Sequence, residues 1–421
     1  MKQSIKSILW EGVVIFILST CLTSCEDILG EWSKPVPITP AVDPDLITRS
    51  TPLTMEAITA GTIRVLYPRP GMQYSKNGSP KISMSEDSEI PVTIGDKVAF
   101  YGNGTSITCY RGTILSHGTA DVKVYGNIMS LVDETGFATA TTLTDTKAFR
   151  ELFSKNTHLI DASGLLLPAE TLADFCYYEM FYGCTNLTNA PELPATSLAV
   201  SCYERMFKEC ANLTKAPELK AMTLVESCYS HMFSGCTSLT NAPKLPAESL
   251  KRACYSSMFS ACASLTAAPD LPATTLADLC YADMFSGCTS LTAAPDLPVT
   301  TLADYCYLGM FSGCTSLTAA PELPATTLAV NCYGSMFGNC TSLTTAPELK
   351  APILVERCYS YMFYGCTNLN TVTCLASDIS ASECTTDWLF GVAATGTFTK
   401  AASMLSWTTG DSGIPSGWTV N

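Results

Sequence analysis

The side chains able to do chemistry are few in kind and regular in place. Cysteines stand at 176, 202, 228, 254, 280, 306, 332, 358 and 384, and a second series at 184, 210, 236, 262, 288, 314, 340 and 366; every interval is 26 residues. Such columns suit more than one chemistry. A buried thiol packs as a small hydrophobe and donates weakly to a backbone carbonyl. Disulfides between neighbouring units would need Cβ atoms ~3.8 Å apart, whereas parallel side chains in stacked units hold them near ~5 Å. Cys-x7-Cys also lacks the two-to-four-residue spacing of a zinc knuckle, so no metal is expected. Cys109 lies outside both series and reads as a single buried thiol. Histidine occurs only at His117, His158 and His231, none at a repeated position. The chain contains no His-Glu-x-x-His, no Gly-x-Ser-x-Gly and no Gly-x-x-x-x-Gly-Lys-Ser/Thr. No cysteine is set apart from its fellows by a neighbouring histidine. The residues therefore predict neither an enzyme nor a cofactor.

Three further columns share the 26-residue spacing. Tyr177, Tyr203, Tyr229, Tyr255, Tyr281, Tyr307, Tyr333 and Tyr359 form an unbroken ladder. Exposed, these rings suit a sugar or a protein partner; packed, each covers the neighbouring unit while its hydroxyl reaches water. Thr188, Thr214, Thr240, Thr266, Thr292, Thr318 and Thr344 read as β-propensity on a solvent-facing ladder. Glu192, Glu218, Asp270, Asp296, Glu322 and Glu348 form an acidic column interrupted by Lys244. Like charges about 5 Å apart repel by roughly 0.8 kcal/mol per pair even in bulk water. The column therefore suits a cation or a basic partner, or else a solubilising stripe. The tyrosine and acidic columns are the candidate binding residues.

The elements that must position these columns follow from the unit, C-Y-x-x-M-F-x-x-C-x-x-L-T-x-A-P-x-L-P-A-T-T-L-A-x-x. A fixed period of 20 to 50 residues means stacked units, none able to bury its apolar face alone. Leu302, Cys306 and Met310 recur at i, i+4 and i+8, the spacing of one face of a short helix. The prolines that follow, such as Pro321 and Pro324, cannot donate to a ladder, so a very short strand is expected around Leu317-Thr318. The predicted fold is a repeat solenoid, leucine-rich-repeat-like, of 26-residue units with a short helix plus a short strand, preceded by a small all-β domain. The units run over 148–383, beginning with a degenerate one that lacks both cysteines, and 384–421 form a C-terminal cap. Residues 53–147 read as a small β-sandwich-like domain, with strands at Gly61–Leu66, Glu89–Ile94, Lys97–Tyr101 and Val122–Tyr125.

The start of the chain reads as an address. Lys2 and Lys6 precede an apolar stretch, Ile8 to Leu18, too short and too interrupted to span a bilayer comfortably. Leu22-Thr23-Ser24-Cys25 resembles the lipobox of bacterial lipoproteins, which implies a signal peptide over 1–24 and lipidation of Cys25. Glu26 and Asp27 resemble the surface-export signal of outer-membrane lipoproteins in gut anaerobes. Residues 25–52 form a proline-rich tether. The expected place is the outer membrane, facing the exterior, with membrane contact through the lipid anchor only.

Met310-Phe311-x-x-Cys314-x-x-Leu317 followed by Leu323-Pro324 resembles the BspA-like leucine-rich-repeat surface proteins. The family's apolar position five residues before Phe falls on Cys306, its Ala on Met310, its Phe on Phe311 and its Cys on Cys314. This unit is longer than the family's usual one, carries an extra proline, and has Tyr307 where the family commonly has Gly. The resemblance implies a solenoid that adheres to host proteins or other cells. The expected partner is a host or envelope protein or a glycan; the alternatives are a non-catalytic envelope scaffold and a glycan-binding module for nutrient uptake. With 24 Lys and Arg against 38 Asp and Glu in 421 residues, the net charge of -14 argues against nucleic acid.

Overall fold

The computed structural model describes residues 48–102, 113–115 and 118–421. The signal peptide 1–24, Cys25, Glu26 and Asp27, most of the tether, Cys109 and His117 lie outside the described residues. Among the described residues no helix is long and apolar enough to cross a membrane.

The β region begins with β1 (Thr54–Ala57), β2 (Gly61–Leu66), β3 (Gln73–Lys76) and β4 (Ile82–Ser83). It continues with β5 (Ser88–Val92), β6 (Lys97–Tyr101), β7 (Ile114–Leu115) and β8 (Val122–Asn127). Alternation drives these strands: Ile63 and Val65 of β2, Val98 and Phe100 of β6 and Val122 and Val124 of β8 are buried, with half-buried or exposed neighbours between them. One sheet has the order β5-β2-β7, and the other runs β4-β3-β6-β1-β8 and then β9 (Leu159–Leu166). β9 belongs to the first, degenerate repeat and pairs parallel with β8. The sheet thus continues into the array, and one hydrophobic core runs from Leu53 to Trp418.

The repeats stack as coils, but not as helix plus strand. In the coil at Cys176, alternate amides do different things. Those of Cys176, Tyr178, Met180, Tyr182 and Cys184 donate back three residues, to Ala173, Phe175, Tyr177, Glu179 and Phe181. Those of Tyr177, Glu179, Phe181 and Gly183 donate sideways to the carbonyls of Cys202, Glu204, Met206 and Lys208 in the next coil. An α-helix would spend every amide inside one segment; here half the amides bind coil to coil. The segment is a ribbon of overlapping β-turns. Its left-handed residues fall every fourth position, as at Phe175, Glu179 and Gly183 and again at Leu279, Asp283 and Gly287. Positive φ at the third residue is what a type II turn requires. The expected helix is therefore corrected to a turn ribbon, whose four-residue period points Cys, Tyr, Met and Phe inward and the two residues between each pair outward.

The expected strand at Leu317-Thr318 is likewise absent. Isolated parallel bridges stand nearby, such as Ala293 with Ala319 and Thr301 with Thr327, because the prolines remove the donors a ladder needs. Where the prolines disappear, after Cys366, a strand forms: β10 (Thr371–Cys374) pairs parallel with β11 (Gly396–Lys400), which pairs with β12 (Trp418–Val420). Trp388 continues the stack over Tyr359, ring centroids 6.3 Å apart, and Trp407 stacks on Trp388 at 5.5 Å; the Trp388 indole donates to the Gly413 carbonyl at 2.8 Å.

Candidate functional site

Each column finds its place in this geometry. The tyrosines point inward. Tyr281 and Tyr307 are 2% and 1% exposed, and successive rings stack with centroids 5.5 to 6.2 Å apart. Tyr177, Tyr203, Tyr229, Tyr255, Tyr281, Tyr307, Tyr333 and Tyr359 therefore offer no surface to a partner; they are core. Nor do the first hydroxyls reach water: those of Tyr177 and Tyr203 are buried without a hydrogen-bond partner. The reason lies in the turn ribbon, where Tyr directly follows an inward Cys and both fall on the same side. A parallel phenylalanine ladder runs beside them, with Phe285 and Phe311 5.8 Å apart.

The second cysteine column makes a regular bond. Cys184 donates to the Phe153 carbonyl at 3.0 Å, and Cys210, Cys288 and Cys314 donate to Phe181, Phe259 and Phe285 at 3.1 Å. Each thiol thereby occupies a carbonyl of the preceding coil. The described cysteines are all free thiols. Burial pushes them away from the reactive thiolate, Cys184, Cys314 and Cys366 up to about 12. They are structural groups, shielded from oxidation and alkylation alike.

The acidic column does face solvent: Glu192, Glu218, Asp270, Asp296, Glu322 and Glu348 are all exposed. Glu192 and Glu218 share a groove of about 330 Å³ with Lys215 and Lys220. Glu322 is 92% exposed, with Lys350 at 3.9 Å. Among the described residues no three of His, Cys, Asp and Glu stand close enough to hold a metal ion.

The two described histidines lie outside these columns. His158 Nδ1 lies 2.8 Å from Asp121. His231, at a left-handed turn position, lies 2.9 Å from the Ser230 hydroxyl. Burial, with Arg205 and Lys208 nearby, pushes its imidazole down to about 4. Neither histidine faces a cysteine of the array as a triad would require. Sequence reasoning missed a group at the end of the array: Tyr361, Tyr364 and Phe390 are exposed, with Tyr364 and Phe390 stacked at 5.2 Å. The signal was available, since the other coils mostly carry smaller side chains at these two positions.

A packed interior and a patterned exterior, repeated every 26 residues, define a repeat protein. Residues 175–292 and 280–384 match the family described as BspA type leucine rich repeat region, in 6 copies. The chain is a BspA-like leucine-rich-repeat protein. No curated protein and no solved structure matches it. Repeats of this family serve protein binding and adhesion in general and are typically non-catalytic and surface-associated.

Proposed function

We propose that this is a cell-surface lipoprotein, lipidated at Cys25 in the outer membrane, whose coils form a solenoid that captures a host or envelope protein. The observation that carries the reading is the exposed acidic column repeated on stacked coils. Nine coils at ~4.8 Å each would give a surface roughly 43 Å long. Contacts weak one by one add along such a surface because the second is made at high effective concentration. The column calls for a basic or cation-bridged partner. A second reading, favoured by burial of the tyrosine ladder, is a non-catalytic envelope scaffold.

The test applies the protein to arrays of host matrix proteins, with and without calcium. Saturable binding, lost when the six acidic residues become Gln or Asn together, supports capture through this column. A folded protein that binds none of them sinks that reading and leaves the scaffold.

A further inference from the structure

We infer that the C-terminal end of the turn ribbon carries a site for a neutral saccharide, built on Tyr361, Tyr364 and Phe390. The repeat supplies its own control. The position of Tyr364 is serine at 234, 260, 286 and 312 and glycine at 338, so a coil packs without an aromatic ring there. The next coil places Phe390 at the same position. The two rings stack 5.2 Å apart at 13°, and Tyr361 meets Tyr364 edge-on at 5.9 Å. All three are substantially exposed, at 41%, 37% and 42% for Tyr361, Tyr364 and Phe390. They do not plug the end of the core; Trp388 and Trp407, stacked beyond Tyr359, do that.

The opposite end of the ribbon shows what an occupied ring looks like. Arg150 and Arg205 lie over Tyr178 at 4.9 and 5.9 Å, and Lys155 and Lys208 over Tyr182 at 5.9 Å. Among the described residues no cation lies over Tyr361, Tyr364 or Phe390 in this way. Tyr364 and Phe390 cover one face of each other by stacking, which leaves the face of Tyr361 and the outer side of the stacked pair to receive a ligand.

Tyr361 and Leu308 line a hollow of about 360 Å³ together with Asn331, Ser335, Arg357, Ser360, Glu383 and Thr386. Its lining is mixed: polar side chains stand beside Leu308 and Tyr361, as an amphipathic ligand requires. Its one cation and one anion, Arg357 and Glu383, pair with each other across coils, so it favours neither charge. The guanidinium carries more N–H groups than one carboxylate takes up. A flat negative ring face beside neutral donors and acceptors fits a pyranose. Its C–H face is weakly positive and lies on an aromatic ring, while its hydroxyls enter the hollow. The volume sits at the small end of the about 300–1,000 Å³ usual for small-molecule sites, enough for one or two sugar units of a longer chain.

This site does not use the acidic column, so the two can fail separately. The test titrates the full chain calorimetrically with maltoheptaose, cellohexaose, laminarihexaose and mannopentaose. At least one is expected to bind saturably. Tyr364→Ser, which installs the residue four other coils carry, should weaken it tenfold or more with unchanged thermal unfolding. Arg357→Ala should do the same, and Tyr182→Ser should leave affinity as it was. No binding by any of the four, or equal binding by Tyr364→Ser, overturns the assignment. Matrix-protein binding lost in Tyr364→Ser, with no sugar bound, assigns the platform to a protein and overturns it too. The same preparations tested on matrix proteins show whether the acidic column stands or falls on its own.

Discussion

In the turn half of a coil, Cys280 to Leu291, every inward side chain is buried and alternate amides bind the next coil: Tyr281 to Cys306, Asp283 to Leu308, Phe285 to Met310 and Gly287 to Ser312. In the proline half, Thr292 to Leu302, the recorded cross-coil pairing is two isolated bridges, Ala293 with Ala319 and Thr301 with Thr327. Asp296 there faces water. The two halves divide the work. The turn half holds neighbouring coils together through backbone, thiols and rings. The proline half, relieved of that duty, can present charge that would be intolerable beside the core.

The sharpest way to break this comparison is alkali. An unfolded thiol loses its proton near its ordinary value, whereas Cys184, Cys314 and Cys366 hold theirs to about 12. Stability is therefore full below about pH 8.5 and falls as pH rises toward the folded values, because the unfolded state binds fewer protons. Each such thiol removes about 1.4 kcal/mol per pH unit in that window, and these three are among the seventeen cysteines of the two series. Urea midpoints measured from pH 7 to 11 should be flat at first and then collapse. A midpoint unchanged at pH 11 would mean the thiols are not buried.

Next in size is truncation of a ring. Phe285→Ala, at a fully buried position, should cost about 3–5 kcal/mol. Asp296→Ala in the proline half of the same coil should stay within about 0.5 kcal/mol. Denaturant unfolding of both variants tests the division directly, and equal costs would abolish it. Cys288→Ala, which removes the thiol's bond to a Phe259 carbonyl that still accepts from the Cys262 amide, should cost about 0.5–1.5 kcal/mol. Smaller still are the left-handed turn positions. Ala261 sits at φ 59° where Gly235 and Gly287 occupy neighbouring coils. Ala261→Gly should stabilise by about 1 kcal/mol and Gly287→Ala destabilise by as much. Opposite signs from these two exchanges, read by thermal melting, would sharpen the picture of the ribbon; equal signs would refute it.

Much of this was legible in the residues. The 26-residue period announced stacked coils, because spacing in sequence is preserved when units repeat. The parallel columns suited packed thiols as well as crosslinks, and the structure shows free thiols, the second column donating to carbonyls. A helix is the expectation where the turn ribbon stands, because Leu302, Cys306 and Met310 at i, i+4 and i+8 fit both. What separates them is that Cys-Tyr, Met-Phe and Cys return at a strict four residues rather than 3.6. Glycine just before the second cysteine at 183, 235, 287, 313 and 365 also marks a left-handed position.

Other features belonged to the tertiary structure alone. Whether a tyrosine column faces a partner or the core depends on which side of the backbone the residue after an inward cysteine falls, and that is set by the turn type. The continuation of the β8 sheet into the first coil through β9 joins residues distant in sequence. The rings of Tyr364 and Phe390, stacked on each other, and those of Tyr178 and Tyr182, covered by cations, are the same residue class in sequence. Only packing, which brings arginine and lysine over one pair, makes them different.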